Sequence, residues 1–65
     1  MTWFYNKGVW SHGAFTIRIE HCPRLKLTYF ELFDGGTRFV KSFASVQEAQ
    51  QHAEAMQHVA MQVAS

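Results

Sequence analysis

The chain has 65 residues, one cysteine (Cys22) and a formal net charge of +1. That length fits a single domain, and a domain this small buries only about 60% of the surface its unfolded chain exposes, so packing alone stabilises it marginally. A lone thiol excludes an intramolecular disulfide, the small net charge gives no strong steering toward nucleic acid, and a chain that is 15% aromatic and 17% charged is too apolar for a disordered segment.

The chain opens MTWFYNKGVW. Trp3, Phe4 and Tyr5 are consecutive, and Asn6-Lys7-Gly8 carries turn chemistry before Val9 and Trp10. Residues 2–11 therefore form a first strand region, either one strand or a small hairpin. Residues 14–21 alternate, with Phe15, Ile17 and Ile19 on one face and Thr16, Arg18 and Glu20 on the other, the pattern of a half-buried strand. Cys22-Pro23-Arg24 ends it, because proline fixes φ and lacks an N–H.

Residues 25–33 read as a central strand: Leu27, Tyr29 and Phe33 share one face, Phe30 and Leu32 the other, and both faces need cover. Asp34-Gly35-Gly36 supplies a hairpin turn, and residues 37–43 return as a further strand. Ser45 and Glu48 then form a capping box. Val46, Ala49, Ala53, Met56, Ala60 and Val63 recur at spacings of three and four, which predicts a helix over residues 46–63. The helical stripe is small and the strands are aromatic, so the two fit by size.

The expected architecture is α+β: one domain, residues 1–65, with a small antiparallel sheet of three or four strands and one C-terminal helix on one face. Phe15, Ile17 and Ile19 are the expected covered face. Phe30, Leu32, Phe39 and the N-terminal aromatics are expected on the opposite face, closed by the N-terminal segment, a second copy or a partner. At about 1.5 Å per residue the helix is longer than the strands, and its last turn, with Val59, Ala60 and Val63, is expected to overhang them.

Catalytic chemistry is not supported. Ser11 and His12, and likewise His21 and Cys22, are sequence neighbours, which in a strand point to opposite faces. His52 and His58 are six apart on a helix and cannot share a metal, and no C-x-x-C or H-x-x-x-H spacing occurs. No cofactor, metal site or glycine-rich phosphate loop is expected. No apolar run is long enough to span a membrane, and MTWFYNKG lacks the features of a secretory leader, so the expected setting is cytoplasmic.

Residues 1–44 hold all six Lys and Arg against three carboxylates, while residues 45–65 hold only Glu48 and Glu54. The strand-strand-strand-helix order, closing on Phe43, Ser45, Glu48 and Ala49 in an F-x-S-x-x-E-A pattern, resembles AP2-type and integrase arm-type DNA-binding domains across residues 14–57. That resemblance implies nucleic-acid reading by the sheet, through Arg18, Lys26, Arg38 and Lys41 beside Phe30 and Phe39. The composition as a whole points first to a non-enzymatic protein-binding module, an inhibitor or accessory factor in the style of the small anti-CRISPR proteins of phages and mobile elements. The expected partner-binding residues are Trp3, Tyr5, Trp10, Arg18, Lys26, Phe30, Arg38, Phe39 and Lys41, with homodimerisation as the quaternary expectation.

Overall fold

Asn6 and Val9 close a two-residue loop in which Lys7 (φ 50°) and Gly8 (φ 81°) are both left-handed, as a type I′ hairpin turn requires. The aromatic N-terminus is therefore a hairpin, β1 (Phe4–Asn6) and β2 (Val9–His12). It leads into β3 (Phe15–Cys22), β4 (Leu27–Asp34), β5 (Arg38–Phe43) and the helix α1 (Val46–Ala64). The structure is a computed structural model that describes the backbone of residues 2–64 and the side chains of residues 2–59. The strands form one antiparallel meander in the order β1-β2-β3-β4-β5. The α+β class is as expected, but the sheet has five strands rather than three or four, because the turn at Lys7-Gly8 divides residues 2–11 in two. Strand β4 begins at Leu27, later than the expected residue 25, because Lys26 takes a turn conformation with φ of 50°.

Register decides which side chains share a face, since directly paired residues of neighbouring strands point the same way. Trp10 pairs with Ile17 and Ile17 with Leu32; Ile19 pairs with Phe30 and Phe30 with Phe43. Phe30 and Leu32 therefore lie on the helix side with Ile17 and Ile19, not on the opposite face where they are expected from the sequence, because alternation within β4 does not say which of its faces is inward. Ile17 and Leu32 are fully buried (0% exposed) and form the core with Phe15, Ala49 and Ala53. Burial of each of these two aliphatic side chains contributes about 1.5–3 kcal/mol. Trp3, Trp10, Phe30, Val40, Phe43, Val46 and Met56 pack around them.

Ala49 and Ala53 explain how the helix lies close to so bulky a sheet: a methyl group at each contact leaves room for Ile17, Leu32 and the rings beside them. Along β5 the pairing shifts by one residue, from Lys41 opposite Leu32 to Phe39 opposite Phe33, with Val40 as the extra residue. This irregularity resets the alternation, so Val40 turns into the core while Phe39 stays outside. The helix start is fixed by Ser45, whose Oγ accepts the Glu48 amide at 3.3 Å.

From Phe43 the helix runs back over β5, β4 and β3 until Met56 and Gln57 reach Phe15 and Asp34 at the far end of the sheet. Val59, 56% exposed, continues past that point, while Ala60 and Val63 of the expected overhang lie outside the described side chains. The β3–β4 hairpin projects the other way, with Leu25 and Leu27 in solvent. The result is an elongated body of 46 × 20 × 20 Å.

Candidate partner-binding surfaces

The face of the sheet turned away from α1 has no covering element among the described residues. One end of it is a row in which Phe4 pairs with Ser11, Ser11 with Thr16, Thr16 with Phe33 and Phe33 with Phe39. Phe4 is 70% exposed and Phe39 51% exposed. The Phe33 and Phe39 rings meet edge to face at 5.8 Å. In the next row Arg18 stands directly opposite Glu31, and beyond it Glu20 opposite Tyr29. Partial desolvation, then the charges of Glu31 and Glu20, push the Tyr29 phenol above its ordinary value of 10.0. Cys22 and Leu27 form the last pair of this face. The open face is thus apolar at both ends and charged in the middle.

The helix side carries a second aromatic strip beside α1. Tyr5 packs on Trp10 at 4.6 Å, and Trp10 meets Phe30 edge to face at 5.8 Å. Trp3 belongs to the fold rather than to a platform. Its indole Nε1 donates to Glu54 Oε2 at 3.2 Å, tying the N-terminal segment to the helix, and its ring lies 5.6 Å from that of His12. His12 in turn donates from Nδ1 to the Thr2 carbonyl at 2.6 Å.

The nine residues singled out from sequence therefore do not form one surface. Arg18 and Phe39 lie on the open face. Trp3, Tyr5, Trp10 and Phe30 lie on the helix side. Lys26 sits in the β3–β4 turn, and Arg38 opens β5. Lys41 places Nζ 5.5 Å over the Phe43 ring, again on the helix side. Phe4, expected on this face only as one of the N-terminal aromatics, and Phe33 are not among the nine. Phe33 was legible only as a companion of Tyr29 and Leu27, and pairing with Phe39 across β5 gives it its place on the open face.

Alternation keeps Ser11 and His12 apart: Ser11 lies in the Phe4 row and His12 pairs with Phe15 on the helix side. His21 Nδ1 is 3.1 Å from Thr28 Oγ1. It lies nine residues from His12 along the hairpin, at the opposite end of β3. No three His, Cys, Asp or Glu side chains gather among the described residues. None of the described helices is long and apolar enough to cross a membrane. A cavity of about 340 Å³ opens where the helix leaves the sheet, lined by His12, Phe15, Asp34, Met56 and Gln57. The Gln57 Oε1 beside it is buried without a hydrogen-bond partner.

A third surface lies on α1. His52, Ala55, Met56 and Val59, at positions i, i+3, i+4 and i+7, line an almost wholly apolar shallow recess on the β5 flank of the helix. His52 rests on Phe43, with ring centroids 5.4 Å apart. No family model, curated protein or solved structure matches this chain.

Proposed function

We propose that the chain is a non-enzymatic protein-binding module that docks a partner on the open face of its sheet, in a cytoplasmic setting, as an inhibitor or accessory factor of phage or mobile-element type. The observation that carries this reading is the uncovered row Phe4–Phe33–Phe39. Rigid aromatic side chains exposed on a strand scaffold supply large contact area at little entropic cost. Arg18, Glu20 and Glu31 behind that row give the contact an orientation, since a misplaced partner would leave them facing like charge.

Nucleic-acid binding is the second reading. It draws on the same rings as a stacking platform and on Arg18. Against it, the other cations expected to serve the sheet lie elsewhere: Lys26 in a turn, Arg38 at a strand end and Lys41 over Phe43. On the open face Arg18 is outnumbered by Glu20 and Glu31.

Affinity capture from the native host with wild-type protein and with Phe39→Ser separates the readings. Phe39 is half exposed and outside the core, so its replacement leaves the fold intact. Retention of one partner by wild type and its loss from the variant support protein binding. Equal capture by both proteins overturns the open face as the site. Binding of labelled DNA or RNA that weakens steeply with salt replaces the first reading with the second.

A further inference from the structure

We propose that the cavity between the β2–β3 turn and α1 is a binding site for a primary alkylammonium group. It lies on the helix side of the sheet, away from the open face, and goes beyond the protein-binding reading.

The lining sets the chemistry. The cavity of about 340 Å³ is bounded by His12, Phe15, Asp34, Met56 and Gln57, and its volume is that of a small-molecule site. His12 gives its Nδ1–H to the Thr2 carbonyl at 2.6 Å. A carbonyl can only accept, so in the neutral ring the remaining nitrogen, Nε2, carries a lone pair. Asp34 pairs with Phe15 and therefore brings its carboxylate to the helix side. Gln57 contributes Oε1, which is buried and accepts no hydrogen bond. All three atoms are acceptors. No Lys or Arg lines the cavity among the described residues. Arg38 faces Asp34 from β5 but is exposed and stands outside the lining.

A guest must therefore bring donors and positive charge. Water brings donors without charge. A metal ion is poorly served, because no three His, Cys, Asp or Glu side chains gather here. A primary ammonium offers three N–H donors on a compact charge, one for each acceptor. Its alkyl stem suits the apolar wall made by Phe15 and Met56. The unmade bond at Gln57 Oε1 makes the empty cavity costly, and the flexible Gln57 side chain can turn that oxygen to a guest with an N–H to give. A free amine and a lysine side chain of a partner carry the same chemistry.

Titration of isotope-labelled protein with n-butylammonium chloride, followed by nuclear magnetic resonance, tests the site. The expected result is a saturable shift confined to residues 12–15, Asp34 and the Gln57 side-chain amide, with a dissociation constant on the order of a millimolar for so small a ligand. n-Butanol has the same stem without the charge and should bind at least about tenfold more weakly, and Asp34→Asn should weaken n-butylammonium by a similar factor. Gln57→Leu should also weaken it, yet leave the thermal midpoint of the free chain no lower, because the lost acceptor made no bond. If Asp34→Asn fails to fold, Gln57→Leu and n-butanol decide. A short peptide with one lysine distinguishes the sources: tighter binding than n-butylammonium assigns the site to a partner's lysine, equal or weaker binding to free amines. The proposal is overturned if no saturable shift appears at any soluble concentration, if sodium chloride or n-butanol reproduces the shift, or if binding survives both substitutions.

Discussion

Leu32→Ala tests the register on which every assignment of faces depends. Leu32 is fully buried between Ile17 and the alanine stripe of α1. The substitution removes three carbon groups, worth about 2.4 kcal/mol at 0.8 kcal/mol each. Ala49 and Ala53 cannot extend to fill the space, so a residual cavity of about 50 Å³ adds about 1.2 kcal/mol. The expected loss is about 3–4 kcal/mol, a third or more of the total of about 3–10 kcal/mol for a domain of this length. Urea denaturation followed by tryptophan fluorescence measures it, at a fixed protein concentration so that self-association does not contribute. Phe33→Ala is the control: its neighbour Leu32 faces in, Phe33 faces out, and loss of the Phe39 contact with partial burial costs about 1–2 kcal/mol. If Phe33→Ala destabilises more than Leu32→Ala, β4 is turned over, and the division into covered and open faces is wrong.

Further outcomes follow from single contacts. Trp3→Phe keeps a ring against the core but deletes the indole N–H that Glu54 accepts, and should cost about 1.5–3 kcal/mol in the same assay, with Glu54→Gln giving a smaller loss. Ser45→Ala removes the acceptor of the Glu48 amide and should cost about 1 kcal/mol, read as a lower thermal midpoint. The raised phenol of Tyr29 keeps its proton in the folded chain at pH values where the unfolded chain has lost it. Its contribution is therefore complete below 10.0 and is lost as pH rises through the folded value. Phenolate absorbance should show a late-titrating component from Tyr29, and Tyr29→Phe should remove that component and reduce the alkaline fall in stability.

The candidate surfaces were only partly legible in the sequence. Exposed aromatics were expected, and Phe39 is one, but the nine residues divide between the two faces of the sheet and its turns. Alternation gives each strand two faces without saying which is inward. Trp3 shows a different limit. It lies outside the strands, so no periodicity applies to it, and only its contact with Glu54, 51 residues away in sequence, shows that it fastens the N-terminus to the helix. Of the helix flank, the sequence displayed only Met56, as part of the apolar stripe, and Val59, as part of the expected overhang; the recess that joins them to His52 and Ala55 depends on how the helix sits on the sheet.

Local chemistry by itself determined the elements. Glycine-rich turns accept positive φ at Gly35 and Gly36, Ser45 and Glu48 start the helix, and a stripe of alanines declares a close approach to something bulky. These are interactions within a few residues, and the sequence displays both partners. Tertiary structure alone decided the fifth strand's place in the sheet, the inward turn of Phe30 and Leu32, and the shift at Val40 that sends Phe39 outward. Each depends on pairing between residues of different strands, and a displacement of one residue in that pairing exchanges the core with the surface.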